Sequence, residues 1–131
     1  MADAFKFELV SPERLVLAVD ARSVVVPGSE GEMTVLARHA PLMSTLRPGV
    51  LVVEGDGGTR RIFVGGGFAE VGAQGLTILA EDAVAVEDID RAKLEQDIRN
   101  GEEDVRDAKS EDARRMAMMK VERLKGMAAV V

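Results

Sequence analysis

The residue pattern predicts an α+β protein, with an N-terminal antiparallel β-sandwich over residues 1–86 and a C-terminal two-helix hairpin over 87–131. Three observations predict it. Composition changes near Val86, with nearly all glycines and prolines before that point and charged residues and alanine dominating after it. Short Val- and Leu-rich runs recur before the break, separated by turn residues at the spacing of a sandwich or barrel. Beyond the break, Leu94, Ile98, Val105 and Ala108 fall at helical spacing, with Gly101 in the missing place.

The elements follow in chain order. Phe5-Lys6-Phe7-Glu8-Leu9 alternates apolar and polar residues, so one face of a strand points inward. Leu15 to Val19, Val24 to Val26, Val50 to Val53, Arg61 to Val64 and Leu76 to Leu79 read as further strands between Gly, Pro or Asp. Pro27-Gly28 suits the centre of a type II turn, and Gly31 admits a second kink before Met33, Val35 and Leu36 resume apolar pairing. Pro41 biases Ala40 away from helix and closes that run. Gly65-Gly66-Gly67 lacks the Lys-Ser/Thr ending of a phosphate-binding loop and precedes strand-like sequence, so it reads as a bulge or tight corner.

One helix is expected from about Asp90 to Ala108, because the apolar register passes through Gly101 unshifted. A second starts within Lys109-Ser110-Glu111-Asp112 and runs to about Met127, with Ala113, Ala117, Val121, Leu124 and Ala128 as its apolar stripe. Glu95 and Glu102 stand four residues before Arg99 and Arg106, placed for ion pairs along a solvated face. Met118 and Met119 cannot share one narrow stripe, so at least one is a candidate contact with another chain; methionine repacks readily there.

Composition narrows the function classes. The chain of 131 residues has no cysteine and one histidine, which excludes disulfides and leaves little for a zinc site. Four phenylalanines with no tryptophan and no tyrosine, and a net charge of −6, oppose nucleic-acid binding. No segment has the length of a signal peptide or membrane span, so a soluble, cytoplasmic chain is expected. As a catalyst His39 is poorly supported: Ser29, Ser44 and Glu32 are near in sequence, yet no nucleophile elbow surrounds them. The residues free to face outward around it are Glu30, Glu32, Arg38 and His39.

The runs VPGSEGEMTVLARHAPLMSTLRPG, GGGFAEV and LTILAEDAVAVEDID, the last leading into a charged helical hairpin, together resemble the epsilon subunit of bacterial F-type ATP synthase over essentially the whole chain. The resemblance implies a non-catalytic rotor part of a proton-translocating enzyme. Its sandwich would bind the gamma subunit and the polar loops of the c ring, coupling ring rotation to gamma at the cytoplasmic face of the bacterial inner membrane. Glu32 and His39 match family positions on the c-ring-facing end, with Glu30 and Arg38 as neighbours. In some members the hairpin extends toward the alpha and beta subunits and blocks ATP hydrolysis. Arg114, Arg115, Met118 and Met119 are the hairpin's candidate partner contacts.

No cofactor is required, but the resemblance makes ATP a candidate regulatory ligand. Some members bind it through I/L-D-x-x-R-A at the start of the first helix. Here Ile89-Asp90 opens the motif while Lys93-Leu94 stands where Arg-Ala belongs; the register Asp88-x-x-Arg91-Ala92 restores the ending but puts Glu87 at the apolar position. Asp90, Arg91 and Arg123 are the candidate nucleotide residues. The runner-up function is a stand-alone ATP- or anion-sensing module, which would run as a monomer instead of travelling with gamma.

Overall fold

The computed structural model describes residues 3–130. The chain forms two compact units, one extending to Ala85 and the other beginning at Val86. The first holds ten strands: β1 Phe5–Val10, β2 Leu15–Ala21, β3 Ser23–Gly28, β4 Gly31–Leu36, β5 Leu42–Leu46, β6 Gly49–Gly55, β7 Gly58–Val64, β8 Gly67–Val71, β9 Gly75–Ala80 and β10 Ala83–Ala85.

These strands form one hydrogen-bonded path that folds into two layers, β4-β3-β6-β7-β10 and β5-β8-β9-β1-β2, with Gly28 and Leu46 as the strand pair that joins them among the described residues. The sandwich is therefore as expected, with one departure from antiparallel order. β1 and β9 run parallel, with Phe7 beside Leu76 and Leu9 beside Ile78. Alternation along each strand sends Phe7 and Leu9, Val24 and Val26, Leu51 and Val53, and Leu76 and Ile78 into one shared core. Each is essentially removed from water, the arrangement that supplies the main stabilising term of a sandwich.

Local turn chemistry misplaces one turn. Pro27 and Gly28 are the last residues of β3, paired with Glu32 and Gly31, and the connection is the two-residue tip Ser29-Glu30. Gly31 does take a left-handed φ of 133°. Gly28 is needed for closeness instead, since a Cβ there would stand 2.8 Å from the Gly31 backbone oxygen. The Gly65-Gly66-Gly67 corner between β7 and β8 is tight, as expected. Gly67 has φ 138°, and a Cβ on it would collide with the Leu79 backbone oxygen.

The second unit begins with a short 3-10 turn, Val86–Asp88, and continues as α1 Arg91–Asp107 and α2 Glu111–Ala128. Asp90 caps α1, its Oδ1 accepting from Lys93 N at 3.1 Å; Ser110 caps α2, its Oγ accepting from Ala113 N at 3.0 Å. α1 is continuous through Gly101, which is buried. Of the expected α2 stripe, Val121 and Leu124 are buried, Ala117 and Ala128 are half-buried and Ala113 is exposed. Arg99 donates to Gln96 Oε1 at 2.8 Å, and Glu102 reaches across the hairpin to Lys125 at 3.6 Å.

Candidate functional site

Strand directions give the sandwich two ends. At the first lie the β1–β2 turn, the Ser29-Glu30 tip, the Arg47-Pro48 connection, the Gly65-Gly66 corner and Glu81-Asp82. At the second lie Asp3 and Ala4, the 37–41 loop, Asp56-Gly57 and the β8–β9 turn.

The tip at the first end is held from both sides. Ser29 N donates to Thr45 O at 2.9 Å, Thr45 Oγ1 donates to Ser29 Oγ at 2.7 Å, and Arg47 N donates to Pro27 O at 3.0 Å. A two-residue hairpin tip ordinarily hangs free; this one is bonded to a strand of the other sheet. Glu30 and Glu32 are thereby presented to solvent on a fixed support, while Met33 and Val35 of the same strand point inward. Glu13, Glu81 and Asp82 share this end with the cations Arg14 and Arg47, so the loop surface carries a local excess of carboxylates.

Arg38 and His39 lie at the other end. Glu32 and Leu36 are four residues apart on an extended strand, roughly 13 Å, and Arg38 follows the turn beyond. The four residues grouped by their nearness in sequence thus form two pairs on opposite ends of the sandwich. Arg38 has a left-handed φ of 65° and pairs with Asp3 at 3.0 Å. His39 Nδ1 lies 2.8 Å from its neighbour's carbonyl, Ala40 O. With Phe5, Leu36 and Gln74 they border a groove of about 250 Å³. The His39 ring meets a backbone carbonyl and not a nucleophile, and no cluster able to hold a metal ion occurs among the described residues.

A further surface escaped the reading of the sequence. On the outer face of the second sheet, register aligns Thr45, Phe68, Leu79, Val10 and Leu15 across all five strands. This apolar row ends near the acidic tip, and Phe68, Leu79 and Leu15 are 51%, 49% and 53% exposed among the described residues. The signal was present in Gly67-Phe68-Ala69-Glu70-Val71: Phe68 shares its parity with Glu70, and a strand's charged face is its outer one.

In the helical unit, Arg114 and Arg115 are paired within their own helix to Glu111 at 3.5 Å and Asp112 at 3.1 Å. Met118 and Met119 are 52% and 66% exposed, and Met116 joins them on the surface. The nucleotide candidates are spread along the hairpin. The Asp90 carboxylate is engaged as a cap, and Gly101 faces Val121 in an antiparallel pair, which sets Arg123 beside residue 99 or so. Arg91 lies about eight residues away, roughly 12 Å along the axis.

The geometry defines a class: a small binding subunit whose sandwich presents a braced acidic tip and an apolar row, with a capped helical hairpin attached in sequence. Residues 4–86 match the family model described as the ATP synthase delta/epsilon chain β-sandwich domain. The chain is 56% identical over 118 residues to the ATP synthase epsilon chain of Mesorhizobium japonicum, covering 89% of this chain and 87% of that relative. It is 52% identical over 130 residues to the epsilon chain of Maricaulis maris, covering 99% and 98%. A chain in the cryo-EM structure of the Euglena gracilis mitochondrial ATP synthase, an OSCP/F1/c-ring assembly, superposes with a TM-score of 0.80 at 28% identity, over 96% of this chain and 80% of that one. One in the Tetrahymena thermophila mitochondrial central stalk and c-ring shares the fold, with a TM-score of 0.67 at 15% identity over 99% and 98%. The chain belongs to the epsilon-subunit family of F-type ATP synthases, whose role in the enzyme is non-catalytic.

Proposed function

We propose that the chain is the coupling foot of a proton-driven rotor, with Glu30 and Glu32 seated on the polar loops of the c ring and the Phe68–Leu79–Leu15 row lying against the gamma subunit. The braced tip carries this reading. Torque can cross an interface without slip only if the contacting side chains are held by the fold, and bonds from β5 hold this tip. Carboxylates there suit arginine or amide donors, since charge-assisted hydrogen bonds are the stronger kind. The apolar row supplies desolvated area, which dominates a lasting subunit contact.

No helix among the described residues is long and apolar enough to cross a membrane. In this reading the chain reaches the cytoplasmic face of the membrane through its partners. Contact of the hairpin with the alpha and beta subunits would use Met116, Met118 and Met119, because Arg114 and Arg115 already have carboxylate partners.

Reconstitution of Glu30→Lys/Glu32→Lys into the membrane enzyme tests the assignment. The variant is expected to remain bound and to allow ATP hydrolysis while pumping fewer protons per ATP. Unchanged pumping with the variant bound would remove Glu30 and Glu32 from the coupling contact.

A further inference from the structure

The outer face of the second layer carries another row beside the apolar one. Register aligns Met43, Glu70, Thr77, Glu8 and Ala18 across its five strands. On β1, β8 and β9 this row lies two residues, about 7 Å, from Val10, Phe68 and Leu79. Glu70 and Glu8 stand on the strands either side of Thr77, their Cα atoms roughly 10 Å apart. Both are exposed, and Thr77 between them is half-buried. Together they border a groove of about 240 Å³. Gly72 keeps it open, since a Cβ there would meet nothing within 4 Å, and Gly75 brings its wall close to β1, where a Cβ would collide with the Lys6 backbone oxygen. Neither carboxylate has an ion-pair partner among the described residues.

Water solvates these two charges in the free chain. A partner of ordinary footprint, about 800 Å² on each side, cannot cover Phe68, Leu79 and Leu15 without reaching a row about 7 Å away. Excluding water from two unpaired carboxylates is costly unless the partner brings donors. An apolar surface would leave both stranded, and an acidic one would repel them. A guanidinium or ammonium group seated between them can donate to both, with its aliphatic stem lying in the groove. We infer that the Glu8–Glu70 groove receives an arginine or lysine side chain of the gamma subunit, and that this contact fixes where the apolar row sits on gamma. The inference rests on the assignment of that row to gamma. It gives Lys6, which also lines the groove, an effect of opposite sign, because its ammonium group repels an incoming cation.

Titration of the full chain into the gamma-containing catalytic complex stripped of this subunit, at low and at high salt, tests the contact. Glu8→Gln/Glu70→Gln keeps both side-chain shapes. It is expected to weaken binding by about 10-fold or more and to flatten its salt dependence, because salt screens charge pairs. Glu8→Lys/Glu70→Lys is expected to weaken binding by at least about 100-fold. Lys6→Gln is expected to tighten it about threefold, a change that damage to the fold could not produce. All three positions are exposed, so each variant is expected to melt within a few degrees of the native chain. A glutamine pair with native affinity and native salt dependence would overturn the groove contact, and so would weaker binding by Lys6→Gln. The two readings fail separately. A native chain that does not bind the complex would overturn the rotor reading and the groove contact with it. Native binding that is lost in Phe68→Asp/Leu79→Asp but unchanged in the glutamine pair would overturn the groove contact alone.

Discussion

Thr45 Oγ1 donates to Ser29 Oγ at 2.7 Å while Ser29 N donates to Thr45 O at 2.9 Å, so two residues sixteen positions apart clasp one sheet to the other at the tip that bears Glu30. Among the described residues, Gly28 and Leu46 are the one strand pair between the two layers. The clasp extends that minimal junction into the turn itself.

Thr45→Val keeps the side-chain shape and removes the hydroxyl donor. The backbone bond survives, and Ser29 is exposed to water, so the stability loss is expected to be at or below about 1 kcal/mol. Local order should suffer more than global stability. Hydrogen exchange at the amides of Ser29, Glu30 and Gly31 is expected to accelerate with little change elsewhere; unchanged exchange at the tip would show that the hydroxyl pair does not brace it.

Phe68→Asp/Leu79→Asp puts two charges in adjacent strands of the apolar row. Both side chains point away from the core, so the isolated chain is expected to melt within a few degrees of the native protein. Association with gamma is expected to weaken by at least about 100-fold, the scale on which central apolar interface residues act. Pull-down with immobilised gamma measures it, and undiminished capture would show that gamma binds another face.

Gly67→Ala and Gly57→Ala form a controlled pair. The first sets a Cβ against the Leu79 backbone oxygen at φ 138°, where backbone cannot yield cheaply, and is expected to cost about 3 kcal/mol or more. The second adds a methyl group where nothing lies within 4 Å and is expected to stay within about 0.5 kcal/mol of neutral. Urea unfolding of the two variants reports the difference, and equal midpoints would contradict the tight corner.

Alternation and helical periodicity made most of the fold legible, because both are local. Phe5 to Leu9 shows its inward face in five letters, and the α1 register survives Gly101 because glycine occupies an apolar place without shifting the period. What was missed is nonlocal. Leu42–Leu46 does not alternate cleanly, and its pairing with β8 gives it strand geometry. The parallel β1–β9 pair joins segments some 65 residues apart, a distance that no turn signal reports. Pro27-Gly28 has the chemistry of a turn, but pairing with Gly31 and Glu32 keeps it in the strand.

The candidate site was legible as residues and not as a place. Glu32 and His39 are close in sequence, and an extended strand turns seven positions into the length of the sandwich. The close approach at Gly101 was equally hidden, since the 2.8 Å between a Cβ there and Val121 Cγ2 arises only from the packing of the two helices.

The central claim is that the Glu30–Glu32 end, and not the Arg38–His39 end, meets the ring. Its most direct test is photo-cross-linking in the assembled membrane enzyme from a single cysteine at Glu32→Cys or at His39→Cys, with the adduct identified by mass. The account predicts a c-subunit adduct from position 32 and none from position 39. A c-subunit adduct from position 39 with none from position 32 would contradict it.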